Sequence, residues 1–402
     1  MKHIWIINEY AGNNKYGGES RHYEIAKELT KKNYNITIIS ASYSHLFTKF
    51  PKNRKEENEG VNFFWIKVFN YGDAHNKKRV WKWFLFTLKI FFLPFYLKKP
   101  DVIIVSPLAP FSILPAWALA KIYGAKLIFE VKDIWPLSLV EVGGFGYNHP
   151  FIKFMRFFEK FALNKSDIIV SNLSNYGEYL KNIGIEKKFV WISNGINTDI
   201  IKNNNIQLPN KIENFLKINK FVVGYIGTFS KSNAIDLFLE NIKLVSKDID
   251  IKFLFVGTGE LREEIEKYRK IDRRIVLFDR VEKKVAFQIM KKCNVLFKGN
   301  PNNKLYQYGI SPIKIFEYML AGKPILHSTN VINDIVKIAN CGISVEAENP
   351  QAVANGILKF YNMSESQRKI LGKNGKNYVL NCFTYEKLAK KYEQVFKGVM
   401  YV

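Results

Sequence analysis

Short, almost wholly apolar runs alternate with longer amphipathic stretches along the entire chain. The predicted strands are residues 3–8, 35–42, 61–68, 101–106, 126–131, 167–171 and 189–192 in the first half, and 221–227, 251–257, 275–278, 294–297, 324–327 and 342–345 in the second. Helical patterns fill the gaps, for example at 19–31, 151–164, 260–270 and 312–321. Apolar strands separated by helices are typical of parallel sheets covered on both faces. The predicted fold class is therefore α/β, with Rossmann-like parallel sheets.

The length of the chain indicates more than one domain. A chain of 402 residues is too long for one ordinary core, at roughly 150 residues per domain. Residues 194–220 are polar and poorly periodic, which is typical of a linker. We predict a first domain at 1–197, a linker at 198–220, a second domain at 221–382 and a C-terminal helix at 383–402. The helix is expected to pack back on the first domain, and the two sheets to face a cleft.

Charge and cysteine content narrow the class of protein. The net charge of +25 favours an anionic partner, although compositional bias towards lysine explains it equally well. The three cysteines, with no CxxC pair, fit a reducing compartment and argue against a disulfide framework or zinc site. The start, MKHIWIINEY, has no apolar signal stretch. We therefore expect a cytoplasmic protein.

Residues 75–100, HNKKRVWKWFLFTLKIFFLPFYLKKP, combine cations and aromatic side chains without any acid. Two lysines and Pro94 interrupt the run, so it does not fit a transmembrane helix. Lys78, Lys82 and Lys89 fall on one face at helical spacing, which favours a helix lying on an anionic membrane surface. A core helix with solvated lysines is the alternative. The residues predicted to contact the membrane are Trp81, Lys82, Trp83, Phe84 and Lys89.

The segment 308–326, YGISPIKIFEYMLAGKPIL, carries the clearest sign of a binding site. Ser311 and Pro312 predict an N-cap and a first helical residue. Glu317 lies on an apolar helix, where a carboxylate is costly unless it has a partner. A ribose diol would provide one, because a carboxylate accepts from both hydroxyls. Lys314, one turn earlier, would pair with Glu317 or reach a phosphate.

A loop at residues 8–18, NEYAGNNKYGG, follows the first predicted strand and precedes a helix. Gly17 and Gly18 would let backbone N–H groups approach an anion at the helix N-terminus. A plain turn that needs positive φ is the alternative. The loop is not GxGxxG, so no nicotinamide fingerprint is present.

The segment 308–326 resembles retaining glycosyltransferases of family 4, which have the GT-B fold. The resemblance covers nearly the whole chain and is closest to bacterial surface-polysaccharide enzymes related to the N-acetyl-fucosamine transferase. It implies that Glu317 binds the nucleotide ribose. Gly309 stands where many relatives carry a further Glu, and backbone N–H groups near Gly309–Ser311 would then face the donor sugar and phosphates.

Further matches to the family lie in the second half. GYIGTFSKSNAID (224–236) resembles its first donor-domain strand and loop, which implies a phosphate-binding role for Lys231; Asn233 stands where a lysine is usual. FVGTGEL (255–261) and FDRV (278–281) resemble segments that flank the nucleotide and its base. ISNGIN (192–197) resembles the turn that leaves the first domain. The predicted donor-binding residues are Gly227, Lys231, Asn233, Gly257, Val281, Gly309, Ser311, Pro312, Lys314 and Glu317.

In the first half, FEVKDIWPLSLVEVGG (129–144) resembles the family loop that often carries His-Asp, here Lys132–Asp133. Asp133 follows a predicted strand, where ligands bind in open α/β sheets. It would contact the donor sugar or the acceptor hydroxyl, or merely cap a turn. Arg21 and His22 match an Arg-His pair of the subgroup. They would bind the acceptor phosphate, stabilise the leaving group, or lie on the helix surface.

The predicted reaction is transfer of a sugar, with retention, from a nucleotide sugar to a lipid-linked saccharide at the inner membrane face. By resemblance the donor is UDP-linked, and neither a metal nor a cofactor is expected. Nucleic acid is not an expected partner, because no recognised binding motif appears. The predicted catalytic residues are Asp133, Lys231 and Glu317. A nucleotide-sugar 2-epimerase of the same fold and a non-catalytic membrane-bound relative remain as alternatives.

Overall fold

The computed structural model describes residues 1–73, 76–108, 110–202, 206–217 and 220–400. The chain divides into two compact units: Met1–Asn194 with Tyr308–Ser311 and Tyr385–Val402, and Gly195–Gln307 with Pro312–Thr384. The stretch predicted as a linker therefore clusters with the second unit. Its residues 203–205 and 218–219 lie outside the described residues, as do His75 of the aromatic segment and residues 401–402 of the predicted C-terminal helix.

The first unit is built on an eight-stranded sheet. Its strands are β1 (Lys2–Ile7), β2 (Tyr34–Ala41), β3 (Lys55–Asn58), β4 (Val61–Ile66), β5 (Val102–Val105), β6 (Lys126–Val131), β7 (Ile168–Ser171) and β8 (Phe189–Trp191). The spatial order is β3-β4-β2-β1-β5-β6-β7-β8. All neighbours are parallel except β3, which pairs antiparallel with β4 at the edge. The sequence analysis did not predict β3.

Helices cover both faces of this sheet. They are α1 (Arg21–Thr30), α2 (Lys78–Ile90), α3 (Ile113–Tyr123), α4 (Leu137–Glu141), α5 (Pro150–Lys165) and α6 (Tyr176–Asn182). Along β1, Ile4 and Ile6 belong to one buried apolar cluster, and Trp5 and Ile7 to another. Alternate residues of a strand point to opposite faces. Each face of the sheet therefore carries its own core, as the apolar strand runs predict.

The second unit contains a six-stranded sheet in which every pairing is parallel. Its helices are α7 (Asp199–Lys202), α8 (Asn210–Leu216), α9 (Ile235–Lys243), α10 (Arg262–Ile271), α11 (Lys283–Lys292), α12 (Ile313–Leu320), α13 (Ile335–Ile338), α14 (Pro350–Asn362) and α15 (Glu365–Cys382). Its strands are β9 (Phe221–Ile226), β10 (Ile251–Val256), β11 (Ile275–Phe278), β12 (Val295–Gly299), β13 (Ile325–Ser328) and β14 (Gly342–Val345).

The order in this sheet is β11-β10-β9-β12-β13-β14. The chain therefore reverses direction across the sheet between β9 and β12, and such a switch point opens a crevice at the carboxyl ends of the two strands. In the first sheet the reversal lies between β1 and β5. The predicted α/β class with two Rossmann-like sheets is confirmed.

The last helix, α16 (Tyr385–Met400), belongs to the first unit and packs against α1. Its buried residues Leu388, Tyr392 and Phe396 join the apolar cluster of Tyr23 and Leu29. Among the described helices, none combines the length and apolar character needed for a bilayer span.

Candidate functional site

The second unit contains a cavity of about 530 Å³ at the carboxyl ends of β9 and β10. Loops after three strands and one side of α11 and α12 form its walls. The lining residues are Ile196, Ile200, Ile226, Gly227, Thr228, Val256, Gly257, Thr258, Gly259, Arg280, Val281, Lys283, Ala286, Phe287, Met290, Lys314, Glu317 and Leu320. The predicted donor-binding residues Gly227, Gly257, Val281, Lys314 and Glu317 are among them.

Two glycines allow the loops after β9 and β10 to pack together at the cavity. Gly227 has φ +151° and Gly257 has φ +153°, conformations that side chains disfavour. A Cβ on Gly257 would collide with the carbonyl of Gly227, and one on Gly227 would collide with the ammonium of Lys314. Backbone conformation favours glycine at both positions, and close approach to backbone also requires it at Gly257; at Gly227 a side chain would displace the ammonium of Lys314.

Glu317 projects from α12 into the cavity wall. Its carboxylate forms an ion pair of 2.9 Å with Lys283, the first residue of α11. The Glu317 side chain is 19% exposed and that of Lys283 is 64% exposed. The sequence analysis predicted a buried acid with Lys314 or a ribose as partner, but the structure shows a half-buried acid paired with Lys283. Because Lys283 is largely solvated, a ligand is able to replace it at little cost.

Lys314 lies one turn before Glu317 and points to the end of β9. Its ammonium donates to the carbonyl of Ile226 at 3.1 Å and lies 5.1 Å from the ring centre of Tyr225. Burial lowers the pKa of Lys314, and the charge of Glu317 acts in the opposite direction. The ammonium thus sits beside the glycine loop with a neutral oxygen as its hydrogen-bond acceptor.

Two predicted donor residues of the loop after β9 lie outside the cavity lining. Lys231 is exposed in a single helical turn, Lys231–Asn233, and its backbone N–H donates to Glu260 at 3.1 Å. Asn233 donates to the carbonyl of Thr228 at 3.1 Å and so holds the loop shape. The cations that line the cavity are Arg280, Lys283 and Lys314. The phosphate-binding role of Lys231 stays a prediction.

Gly309 and Ser311 belong to the first unit, not to the cavity. Gly309 has φ +95°, and a Cβ there would collide with Ser174. The hydroxyl of Ser311 accepts from the N–H of Asn194 at 2.7 Å. The prediction that Ser311 caps the helix is therefore wrong: Pro312 occupies the N-cap, one residue later than expected. Pro312 also lies outside the cavity lining.

Arg21 and His22 form part of a buried network in the first unit. Glu130, which has no exposed surface, accepts from Arg21 Nη1 and His22 Nε2, each at 2.5 Å, and from the hydroxyl of Tyr392. Burial raises the pKa of Glu130, but the charge of Arg21 and these hydrogen bonds outweigh it and hold the pKa well below its usual value. The alternative that the pair lies on the helix surface is wrong, because both side chains are buried against Glu130. Their predicted roles towards the acceptor phosphate and the leaving group stay predictions.

The glycine loop before α1 has the geometry of a turn. Gly17 and Gly18 have φ +82° and +83°. The N–H of Gly17 donates to the carbonyl of Asn13 at 2.9 Å, and that of Gly18 to Leu46 at 3.2 Å. These two donors are used within the protein, and the positive φ angles fit the alternative of a turn. Anion binding by the loop stays a prediction.

Asp133 lies where the sequence analysis expected, in the loop that follows β6, and its side chain is exposed. The adjacent Lys132 forms an ion pair with Glu19, which also accepts from Asn8 at 3.1 Å. These side chains gather at the carboxyl ends of β1 and β6. Asp133 is therefore placed at the edge of the sheet where ligands bind in such folds.

The aromatic segment is only partly exposed. Trp81 is 70% exposed and Phe84 is at the surface, whereas Lys82 and Trp83 are buried. The ammonium of Lys82 lies 3.7 Å from a carboxylate oxygen of Glu9 and 4.1 Å from the ring centre of Tyr10. The predicted membrane contacts of Lys82 and Trp83 are therefore wrong, because a buried acid at the end of β1 pairs with this lysine.

Lys89, the remaining predicted membrane residue, is half-buried, and its ammonium donates to the carbonyl of Lys67 at 2.7 Å.

The sequence analysis missed Lys283 and Arg280 as cavity residues. Both residues lie within two positions of Val281, which the sequence analysis did identify. Their closeness to Val281 in the chain is therefore the signal that could have found them. It also missed the role of Glu130 in fixing Arg21 and His22. Among the described residues, no group of three or more His, Cys, Asp or Glu side chains is arranged to hold a metal ion.

Solved structures with the same architecture define the class of this fold. Sucrose-phosphate synthase from Thermosynechococcus elongatus matches with a TM-score of 0.72 at 14% identity, over 99% of both chains. WaaG, a glycosyltransferase involved in lipopolysaccharide biosynthesis, matches with a TM-score of 0.67 at 15% identity, over 98% of this chain and all of that one. Anabaena HepE in complex with UDP has a TM-score of 0.67 at 13% identity, over 99% and 100% of the chains. At such identities they show the fold alone: a GT-B fold.

Sequence comparisons identify the family. The model described as Glycosyltransferase Family 4 matches residues 16–200, and the model described as Glycosyl transferases group 1 matches residues 220–363. The chain is therefore a family 4-like glycosyltransferase.

Individual relatives found by sequence comparison are glycosyltransferases by name, which agrees with this family. An uncharacterized glycosyltransferase of Methanocaldococcus jannaschii, MJ1069, is 24% identical over 96% of this chain and 95% of its own length. The capsular polysaccharide biosynthesis glycosyltransferase CapM of Staphylococcus aureus is 28% identical over 66% of this chain and 70% of its own. A second M. jannaschii protein, MJ1178, is 27% identical over 60% of this chain, and the match spans 62% of that protein, less than two thirds of its length.

Proposed function

We propose that this glycosyltransferase moves a sugar from a UDP-sugar to a lipid-linked saccharide during synthesis of a bacterial surface glycan, with retention at the anomeric carbon. The observation that carries the proposal is Glu317, a carboxylate in the wall of a 530 Å³ cavity at the carboxyl end of a parallel sheet. A cavity of this size suits a nucleotide-sized ligand. Its position is where nucleotides bind in open α/β folds.

The cavity divides into regions that match the parts of a nucleoside diphosphate. Ala286, Phe287 and Met290 of α11 offer an apolar wall for the base. Glu317 would accept from both ribose hydroxyls after displacing Lys283. Lys314 and the loop at Gly227 would face the diphosphate. The same assignment follows from the family resemblance of Glu317 and Val281.

The chemistry requires stabilisation of the departing UDP and a fixed acceptor hydroxyl. In the proposed step, the bond between the anomeric carbon and the phosphate oxygen breaks while the acceptor oxygen bonds on the same face. The acceptor proton passes to the departing phosphate, so no protein nucleophile is needed. Lys314 would offset the charge of the leaving group, with Lys231 as a further candidate. Asp133 is our candidate for holding the acceptor hydroxyl.

The finer assignments rest on similarity. Family resemblance favours UDP, and the HepE structure, which has the same fold, contains UDP. CapM and WaaG, by their names, act in capsule and lipopolysaccharide synthesis, which supports a surface glycan as product. The segment GISPIKIFEYMLAGKP supports the subgroup of the N-acetyl-fucosamine transferase.

A peripheral position on an anionic membrane fits the lipid-linked acceptor. Trp81 and Phe84 of α2, and Phe154 and Phe157 of α5, are exposed. The rings of Phe84 and Phe154 are 6.5 Å apart, so the two helices share one surface. The acid of α5, Glu159, is buried. The start of α2 and the same stretch of α5 carry exposed cations, which are Lys77, Lys78, Lys153, Arg156 and Lys160. Exposed aromatics among cations are typical of an interfacial membrane contact.

Glu317→Gln tests the donor site, because it keeps the side-chain shape and removes the charge. We expect the affinity for UDP to fall about 10- to 100-fold, since a hydrogen bond to a charged group contributes about 1.5–3 kcal/mol. Calorimetry with UDP, GDP and uridine measures it. Glu282→Gln removes the same charge from an exposed neighbouring residue and should leave the affinity unchanged. Unchanged UDP binding by a folded Glu317→Gln protein would refute the assignment.

Activity distinguishes the proposal from its alternatives. The protein would be incubated with radiolabelled UDP- and GDP-sugars and a polyprenyl-diphosphate-linked saccharide. Label in the lipid supports the proposal, and NMR of the product would show whether the anomeric configuration is retained. Free epimerised nucleotide sugar would support a 2-epimerase. Nucleotide binding without turnover would support a non-catalytic relative.

A further inference from the structure

Lys298, at the end of β12, is a buried cation with no acidic partner. It is 4% exposed, and its ammonium donates to the backbone carbonyl of Gly299 and to Oδ1 of Asn300, both neutral oxygens. No acid that the structure describes forms an ion pair with it. Burying a charge without an opposite charge is costly. The two neutral oxygens do not offset the cost of charging this side chain, so an anion that arrived beside it would be strongly favoured.

The acid that this hydrogen-bond chain reaches, Asp334, is already used by another side chain. Asn300 donates from Nδ2 towards Nε2 of His327 at 3.3 Å, and Nδ1 of His327 faces Asp334 at 2.9 Å. An Asn amide that donates to Nε2 places the histidine proton on Nδ1, where it bonds to Asp334. Burial lowers the pKa of His327 even though the hydrogen bond and the charge of Asp334 act in the opposite direction, which fits a neutral ring. Asp334 thus orients His327 and leaves the positive charge of Lys298 unmatched.

Lys298 lies at the switch point of the second sheet, level with the cavity wall. Leu296 pairs with Gly224 of β9, so Lys298, two residues on, is level with Ile226. Ile226 lines the cavity, and its carbonyl accepts from Lys314. Residues paired between parallel strands point to the same face. Lys298 is not itself a lining residue of the cavity, but it lies behind Ile226 at the switch point, where the charge of Lys314 acts on it.

We propose that Lys298 is a second cation for the phosphate groups of the bound nucleotide, acting beside Lys314 at the switch point between β9 and β12. This inference rests on the proposed binding of a nucleoside diphosphate in the cavity. A bound diphosphate would place a negative charge near Lys298, where no described acid forms an ion pair with it. The interaction is electrostatic and strong because the site is shielded from water. Lys298 would then favour diphosphates over monophosphates of the same nucleoside.

The ionisation of Lys298 gives the proposal a specific signature. Burial, with the charge of Lys314 adding to it, lowers the pKa of Lys298 to about 7. The other groups that face it are Asn300, His327 and, through His327, Asp334. At pH 8 the side chain is then mostly neutral in the free protein. A bound diphosphate would raise its pKa, so binding would take up a proton, whereas UDP itself is fully ionised at this pH.

The test compares Lys298→Met with Lys337→Met, which removes a charge from an exposed lysine on α13. UDP and UMP affinities are measured at pH 8 by calorimetry in two buffers with different heats of ionisation. For Lys298→Met we expect at least a tenfold loss of UDP affinity, a smaller loss for UMP, and no proton uptake. The control should bind UDP like the unaltered protein and take up protons as it does.

Thermal unfolding separates this role from a structural one. Burying the Lys298 amine without an acid costs free energy whether the amine is kept charged or is neutralised, and methionine avoids this cost. The thermal midpoint of Lys298→Met without ligand should therefore equal or exceed that of the unaltered protein. A lower midpoint would mean that Lys298 holds the fold and would overturn the inference. Unchanged UDP affinity in the variant would overturn it as well, while leaving the proposed function standing. If the unaltered protein bound no nucleoside diphosphate, both proposals would fail.

Discussion

Glu130→Gln should destabilise the first unit strongly, because it removes the carboxylate charge that accepts from both Arg21 and His22 in the core. Glu130 is fully buried and accepts from both side chains at 2.5 Å. After the change the guanidinium keeps the carbonyl of Ile192 at 2.8 Å but has no carboxylate. Removing one partner of a buried pair costs about 3–5 kcal/mol. Tyr392→Phe removes the hydroxyl that donates to Glu130 and accepts from Arg21 at 3.4 Å, and should cost less, about 1.5–3 kcal/mol.

The dependence on pH follows from the ionisation of the same carboxyl. The pKa of Glu130 in the folded protein lies well below its ordinary value of 4.5. A lowered pKa stabilises the fold above the ordinary value, and this contribution is lost as pH falls below it. The difference in the free energy of unfolding between the unaltered protein and Glu130→Gln should therefore have its full size at pH 7 and decrease as pH falls below 4.5.

Urea unfolding followed by tryptophan fluorescence measures these changes, with the transition of the first unit fitted separately from that of the second. The double variant Arg21→Met/Glu130→Leu replaces both charges with apolar groups and should recover most of the loss. A cost below about 1 kcal/mol for Glu130→Gln would refute the reasoning. So would a double variant as unstable as Glu130→Gln.

Two further sets of variants test the cavity and the exposed aromatic surface of α2 and α5. Gly227→Ala should lower UDP affinity at least tenfold in calorimetry, because a Cβ at φ +151° would meet the ammonium in the cavity wall; Gly398→Ala, with open space around it, should bind UDP normally. Equal affinities would contradict this. Trp81→Ser/Phe157→Ser should abolish sedimentation with vesicles of anionic phospholipid, whereas Ile370→Ser, at an exposed site on α15, should not. Binding that survives the double change would remove this surface from the proposal.

The sequence was sufficient for most of the fold because buried parallel strands are apolar throughout. Strands β6, β11 and β14 have the predicted bounds, and the others differ by a residue or two. The strand β3 was missed because KEEN alternates between exposed and half-buried positions and carries three charges. An edge strand obtains its order from pairing with β4, and hydropathy does not report that pairing.

Side-chain partners distant in the chain limited the prediction of the site. The pattern of α2 predicted that Lys82 lies on a face exposed to a membrane surface, but Lys82 is buried and pairs with Glu9, which follows β1. Lys283 and Glu317 meet only because α11 and α12 pack at the same edge of one sheet. Helical periodicity ranks the faces of one helix. It contains no information about a charge on another element, so such pairings require the structure.

The partners of a carboxylate distinguish a structural acid from one that is available to a ligand. Glu130 has three donors that are themselves buried, Arg21, His22 and Tyr392, so no ligand is able to replace them without opening the core. Glu317 has one ion-pair partner, Lys283, whose side chain is 64% exposed and loses little by moving into water. A ribose diol entering the cavity would therefore displace Lys283 rather than disturb the fold. For this reason, the half-buried Glu317 is a better candidate for binding a ligand than Glu130, even though Glu130 is more deeply buried.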